Sequence, residues 1–169
     1  MRTRRARISD AAAIHGLVAQ YAAQGLLLPR AEDEIRRNIG HFLVHEECRR
    51  IVSCLSLESY GADLAEIRSV AVSPERRGQG FGASLVEFAL REARRRGIAR
   101  VFAVTHAPRF FQQQGFVAAS RNTLAEKIER DCRTCAKQRS CKLVAVIATV
   151  IPERVSLPVF GETSPVPAC

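Results

Sequence analysis

The stretch Arg77-Gly78-Gln79-Gly80-Phe81-Gly82 carries the most specific chemistry in this sequence. Glycines so spaced let the backbone approach a ligand closely, and where such a loop opens a helix, the free N–H groups and the helix dipole make an anion site. The loop is expected to bind phosphate. A P-loop is excluded, because it needs Gly-Lys-Ser/Thr to reach terminal phosphates and magnesium, and neither lysine nor hydroxyl stands here. Read from Gly78, the loop also fits G-x-G-x-x-A, with Ala83 in the last place. A dinucleotide fingerprint, however, needs a tight turn directly after a strand and an acidic residue about 20 positions on. Here Ser73 to Arg77 intervene, and the next strand ends Thr105-His106 with no acid. What remains is a pyrophosphate held without a required metal and flanked by Arg76 and Arg77. An ordinary glycine-rich helix cap is the plainer alternative.

Cys132, Cys135 and Cys141 form a C-x2-C-x5-C run that could give three thiolates to a structural zinc. No fourth ligand is evident nearby; Cys48, Cys54, Cys169 or a histidine would have to arrive from elsewhere. Packed or redox-active thiols are the preferred reading, so no metal is expected. Of His15, His41, His45 and His106, only His41 and His45 are four apart, and they flank a strand. Arg94, Arg95 and Arg96 end a helix where cations suit the dipole, and read as a solvated helix end.

The elements that must position the loop come from periodicity. Arg5 to Ile8 reads as a first strand, and Ser9-Asp10 as the N-cap of an alanine-rich helix to about Ala23. Pro29 interrupts, Ala31 to Ile39 reads as a short helix, and strands are expected at Phe42 to Glu46, Arg50 to Tyr60 and Ala65 to Val72. The glycine loop then opens a helix whose Leu85, Val86, Ala89, Leu90 and Ala93 form one apolar stripe and whose stop is Gly97. Arg100 to Thr105 reads as a buried strand, so strand, crossover helix and strand make a parallel βαβ unit. Phe110 to Gln114 reads as a helical turn, a strand starts at Phe116, and Lys142 to Val150 reads as a terminal strand. One α+β domain is expected over residues 1–151, with a Pro-containing tail, 152–169, that reads as disordered.

The 169 residues are 47% hydrophobic and 25% charged, which excludes fibrous and disordered classes. The net charge of +9 points to an anionic partner without choosing among nucleic acid, a membrane face and a phosphorylated small molecule. No aromatic residues interleave the arginines to stack bases, so nucleic acid is not expected. The longest apolar run, Leu143 to Ile151, is far short of the ~20 residues of a membrane span, and no signal-type apolar stretch comes after the basic opening. A cytoplasmic location with reduced cysteines is expected. A homodimer is compatible with all of this.

The strand Glu66-Ile67-Arg68-Ser69-Val70-Ala71-Val72, the R-x-x-G-x-G pattern at Arg77, Gly80 and Gly82, and Phe110-Phe111-Gln112-Gln113-Gln114-Gly115-Phe116 together resemble the Gcn5-related N-acetyltransferases (GNAT). The resemblance covers nearly the whole domain. It implies a mixed central sheet of six to seven strands flanked by helices, with a splayed parallel strand pair forming a cleft for acetyl-CoA. By it, Val70, Ala71 and Val72 pair with the pantetheine arm and offer backbone N–H groups to the thioester oxygen, while Arg77, Gly78, Gln79, Gly80, Phe81, Gly82 and Ala83 hold the pyrophosphate.

An acceptor amine is mostly an ammonium at neutral pH, so acetyl transfer needs a base. Glu66, alone among apolar residues at the start of its strand, is the candidate, and the resemblance implies the same role. The alternative is a structural pair with an arginine such as Arg68. Family members often carry a tyrosine that protonates the leaving thiolate, in a Phe-Tyr pair; here Phe111 stands there and cannot donate, so water or another group must.

Two segments resemble the short, single-domain N-acetylglutamate synthases of bacterial arginine biosynthesis. One is Gly25-Leu26-Leu27-Leu28-Pro29-Arg30; the other is Leu124-Ala125-Glu126-Lys127-Ile128, leading to Asp131 and the Cys132, Cys135 and Cys141 run. L-Glutamate is then the expected acceptor, and its carboxylates need fixed cations. Arg30 is the first candidate, His106 stands where the family commonly has an arginine, and Arg109 lies one helical turn on. No amino-acid kinase domain precedes the transferase here, so kinase-like arginine regulation is not assumed. The competing readings are a GNAT acting on another amino acid, a polyamine or a protein amino terminus, and a non-catalytic acyl-CoA- or nucleic-acid-binding module.

Overall fold

In the computed structural model, which describes residues 2–135 and 141–150, the chain forms one seven-stranded mixed sheet with helices on both faces. The strands are β1 (Arg2–Arg5), β2 (Phe42–Glu47), β3 (Arg50–Ser59), β4 (Leu64–Val72), β5 (Arg100–Thr105), β6 (Val117–Ala119) and β7 (Val144–Thr149). They lie in the order β1-β2-β3-β4-β5-β7-β6. The first four form an antiparallel meander. Helix α3 (Phe81–Arg95) then crosses over, so that β5 joins β4 in parallel, as the βαβ pattern requires.

Alternation along the strands sends side chains to two faces. On one, Leu43, Leu55, Leu57, Ala65, Ile67 and Val101 pack under the Leu85, Val86, Ala89 and Ala93 stripe of α3. The other face is covered in two separate patches. Helix α1 (Ala11–Ala23) and α2 (Glu32–Arg37) cover Phe42, Val44, Cys54 and Ala71. Leu124 covers Tyr60, Leu64, Phe102 and Ala145. The uncovered strip between these patches is where the site opens.

Two irregularities open it further. Cys54 pairs with Ala71 but Ser56 pairs with Arg68, so Ser69 and Val70 together oppose Leu55 in a β-bulge, with Ser69 at φ +54°. The parallel ladder of β4 and β5 runs only through the pairs Leu64–Arg100, Ala65–Val101 and Glu66–Phe102. Beyond Glu66 the two strands part, which is the splayed pair that the family resemblance implied.

Most expected elements stand within a few residues of their sequence bounds. The first strand differs: β1 is Arg2–Arg5, and Ile8–Asp10 is a 3-10 turn instead of a strand end. Asp10 precedes α1 as expected but does not cap it with its side chain. Its carboxylate instead binds Arg4 at 2.6 Å and accepts the Arg7 N–H at 2.7 Å. The helical turns at α4 (Pro108–Gln112) begin two residues early, helped by Pro108 at a first-turn position. Short α5 (Ala125–Lys127) runs into a π-helical turn, Ile128–Cys132, which periodicity over so few residues did not signal. The 152–169 tail lies outside the described residues. No described helix is long and apolar enough to cross a membrane.

Candidate active site

Two cavities flank the point where β4 and β5 part, and they share Leu26, Leu27, Ile67, Arg68, Ser69, Val104, Thr105 and His106 in their walls. The smaller, about 260 Å³, runs from this point along Val70, Val72, Gly82 and Phe110 toward the glycine loop. The larger, about 360 Å³, lies under the 25–30 segment and the 121–143 region and is lined by Glu66.

The loop has the geometry of a phosphate cradle. Gly78 and Gly80 take φ values of +72° and +82°, which side-chain-bearing residues rarely adopt, and they feed directly into the first turn of α3. Gly82 serves close approach: a Cβ there would sit 3.3 Å from the Phe110 ring and 3.6 Å from Val72 Cγ2. The N–H groups of the first α3 turn, where Phe81, Gly82 and Ala83 lie, have no partner within the helix and suit an anion. The Phe81 ring itself turns into the core, edge-on to His45 at 5.5 Å. Gln79 donates its amide to the Glu75 carbonyl at 3.0 Å. Arg76 pairs with Glu47 at 2.5 Å, whereas Arg77 stacks on Tyr21, with its guanidinium carbon 4.8 Å from the ring centroid.

Periodicity places Tyr21 on the apolar face of α1, and in the structure its hydroxyl also holds the far end of β4. It donates to the Val72 carbonyl at 2.8 Å and accepts from the Val72 N–H at 3.2 Å and Arg77 Nε at 3.1 Å. The Val72 peptide is therefore engaged on both sides, which corrects the expectation that it offers a free N–H to a ligand. Ala71 pairs with Cys54, and its side chain is buried under α1, away from both cavities. Of the expected strand residues, Val70 and Val72 line the smaller cavity. Phe111 is 4% exposed and packs edge-on against Phe110 and Phe116, in keeping with a packing role.

Glu66 is the last β4 residue in the parallel ladder and is only 2% exposed, yet it borders the larger cavity. Its Oε2 accepts from Tyr60 Oη at 2.7 Å and Lys127 Nζ at 2.9 Å; Arg68 Nε stands off at 3.6 Å. The Arg68 pairing considered from sequence exists, but as the outermost contact. Asp131 completes the cluster: Lys127 donates to its Oδ2 at 2.6 Å, and Tyr60 Oη, with one hydrogen for the two carboxylates, also lies 2.6 Å from that oxygen. Burial works against its charge, but the Lys127 and Tyr60 hydrogen bonds and the nearby Arg68 hold its carboxyl down at about 2. Tyr60 is pushed well above the usual phenol range by burial and by Glu66, so it stays protonated. The Arg130 guanidinium covers its ring at 3.4 Å.

The sign of the Asp131 shift sets an acid limit on stability. A lowered folded value favours the fold above the unfolded value near 3.8 and loses that contribution as pH falls through about 2. Thermal unfolding between pH 5 and pH 2 should show about 2 kcal/mol lost on this account. Asp131→Asn should flatten that part of the profile; an unchanged slope would contradict the assignment.

The expected acceptor anchors are placed unevenly. Arg30 lines the larger cavity, but its side chain is 8% exposed and already bound to Glu58 at 2.6 Å and Glu34 at 3.5 Å. His106 is exposed and lines both cavities. Arg109 lies exposed on α4 and lines neither. Sequence reading missed Arg121 and Lys142, which also line the larger cavity. Arg121 donates to the Leu143 carbonyl at 2.5 Å and to Cys141 Sγ at 2.9 Å. Among the described residues, no carboxylate pairs with Arg121, Lys142 or His106.

Cys132, Cys135 and Cys141 are free thiols in the wall of the same cavity. Among the described residues, no group of three or more His, Cys, Asp and Glu side chains is arranged to hold a metal ion. Burial acts against the Cys141 thiolate, but the Leu143 backbone, Arg121 and Lys127 outweigh it and draw the thiol below its ordinary value. At the other helix end, Arg95 and Arg96 pair with Glu92 at 2.7 and 2.8 Å, a structural use in place of ligand binding.

A cleft between splayed parallel strands, closed at one end by a glycine cradle and at the other by a buried carboxylate, is the arrangement of an acyl-CoA-dependent transferase. The chain belongs to the acetyltransferase (GNAT) family, whose model matches residues 12–116. It is an N-acetyltransferase with acetyl-CoA as co-substrate. It is 35% identical over 147 residues to an uncharacterized N-acetyltransferase of Chlorobaculum tepidum, covering 87% of this chain and 95% of that protein. It is 36% identical over 135 residues to an amino-acid acetyltransferase of Mycobacterium tuberculosis, covering 78% of this chain and 77% of that one. Among solved structures, N-acetylglutamate synthase from Neisseria gonorrhoeae, complexed with coenzyme A and N-acetyl-glutamate, superposes with a TM-score of 0.81 at 28% identity. That match covers 88% of this chain and 35% of the Neisseria chain.

Proposed function

We propose that this enzyme transfers acetyl from acetyl-CoA to the α-amine of L-glutamate, giving N-acetyl-L-glutamate and CoA, as in the first step of cytoplasmic arginine biosynthesis. The observation that carries the reading is the larger cavity: a buried carboxylate at its junction with the CoA cleft, and Arg121, Lys142 and His106 on its wall without described carboxylate partners. A small amino acid with an anionic side chain complements that wall, and relatives named amino-acid acetyltransferase support the same class. Glu66 takes the proton from the ammonium, and the freed amine attacks the thioester directly where the strands part. The smaller cavity holds the pantetheine arm along Val70 and Val72, with the glycine loop, Gly78 to Ala83, and Arg77 at the pyrophosphate. One observation favours another amino acid as acceptor: Arg30, the first expected anchor, is already paired with Glu58.

An acceptor panel tests the reading: L-glutamate, L-aspartate, L-glutamine, a polyamine and a short peptide, each with acetyl-CoA. CoA should be measured by chromatography, since Cys48 and the three cavity thiols would consume a thiol reagent. Glutamate should exceed the uncharged and cationic amines by at least ~10-fold in kcat/KM, as loss of one charge-assisted contact implies. Equal turnover of uncharged amines would overturn the substrate assignment. Arg121→Ala should raise the KM for glutamate about 10- to 100-fold while leaving that for acetyl-CoA near its original value. An unchanged glutamate KM would remove Arg121 from the acceptor site.

A further inference from the structure

Tyr60 Oη lies 2.7 Å from Glu66 Oε2 and 2.6 Å from Asp131 Oδ2. A phenol has one hydrogen to donate, and an ionised carboxylate only accepts. With both carboxylates ionised, one of these two short contacts is a hydrogen bond and the other has no hydrogen in it. It gains one when either carboxyl is protonated. The cluster therefore has room for one proton beyond its ionised form, and that is what a base acquires when it deprotonates an ammonium. The two carboxylates also differ in exposure: the side chain of Glu66 is 3% exposed and that of Asp131 is 25% exposed.

We propose that Tyr60 and Asp131 form a proton exit path that recharges Glu66 after each acetyl transfer, an inference that rests on Glu66 being the base. The ammonium proton passes to Glu66, giving the neutral amine and the carboxylic acid. Glu66 then gives its proton to Tyr60 Oη as the Tyr60 O–H proton moves to Asp131 Oδ2, which restores the Glu66 carboxylate and leaves the phenol intact. Asp131 releases the proton to solvent. Its neighbours fit this direction: Lys127 donates to both carboxylates, and Arg68 and Arg130 flank Asp131, so that Asp131 sheds a proton readily. Tyr60, which lines neither cavity, and Asp131, on the wall of the larger one, act through Glu66; they are positioning residues that also carry a proton.

Tyr60→Phe keeps the ring that packs on Phe102 and under Arg130 and removes only the hydroxyl. Its kcat should fall about 10- to 100-fold with the KM for acetyl-CoA unchanged, and Asp131→Asn should behave alike. Imidazole or another small buffer base should restore part of the lost rate in proportion to its concentration, while wild-type kcat should not respond. A structural defect would show no such buffer dependence. Wild-type kcat in Tyr60→Phe, or a loss that added buffer leaves untouched, would overturn the path. If Asp131→Asn does not fold, Tyr60→Phe alone decides. Activity retained by Glu66→Gln would overturn the underlying reading of the base as well; activity lost there but intact in Tyr60→Phe would overturn the relay alone.

Discussion

Replacing Glu66 with glutamine should lower kcat by about 100- to 10,000-fold, the usual share of a positioned general base. Glutamine has nearly the same shape, so it can still accept from Tyr60 and Lys127 through its carbonyl oxygen. What it cannot do is take a proton from the acceptor ammonium. The KM for acetyl-CoA should change little, because the smaller cavity, proposed to hold CoA, is lined by Val70, Val72, Gly82 and Phe110 on the other side of the strand junction. Raising the pH should recover part of the rate as more acceptor enters as free amine, a response that distinguishes a lost base from a collapsed site. A variant within a few-fold of wild type at neutral pH would place the base elsewhere.

Lys127→Ala should be the most destabilising single change at the site. Lys127 Nζ is the ammonium shared by Glu66 and Asp131, at 2.9 and 2.6 Å, and its side chain is 11% exposed. Removing one partner from a buried ion cluster leaves charge without compensation and typically costs about 3–5 kcal/mol. Arg68, at 3.6 Å from Glu66 and 3.4 Å from Asp131, moderates the loss without replacing the hydrogen bonds. Denaturant unfolding should show a lower midpoint at an unchanged slope, and Lys127→Arg should lose less than Lys127→Ala. A Lys127→Ala midpoint equal to wild type would mean that Lys127 spends its charge on solvent.

The frame of this site was legible in the residues. Glycines at 78, 80 and 82 between a strand and an apolar-striped helix already pointed to a phosphate cradle, and Glu66 stood out as a lone carboxylate among apolar neighbours. These are local signals, set by backbone conformation and periodicity within one βαβ unit. The partners of Glu66 were not legible. Tyr60 lies six residues away, Lys127 sixty-one and Asp131 sixty-five, and only the β3–β4 turn and the π-helical turn bring them together. Arg30 shows the same limit from the other side. Its type suited a carboxylate, and the carboxylate it meets in the structure is Glu58, on the neighbouring strand β3. Arg121 belonged to no motif and reached the cavity through the short segment after β6. The +9 charge likewise pointed to an anion without saying where, and several of the arginines behind it share one acid, as Arg5, Arg95 and Arg96 share Glu92.

A one-pot competition between equal concentrations of L-glutamate and L-glutamine, with limiting acetyl-CoA and products resolved by mass, measures the ratio of the two kcat/KM values directly. The two amines differ in the side-chain charge that the Arg121 wall is proposed to read. N-Acetylglutamate should dominate by at least ~10-fold in the wild type and lose most of that excess in Arg121→Gln. Equal products from the wild type, or an excess of N-acetylglutamine, would contradict the assignment of this cavity to an acidic acceptor.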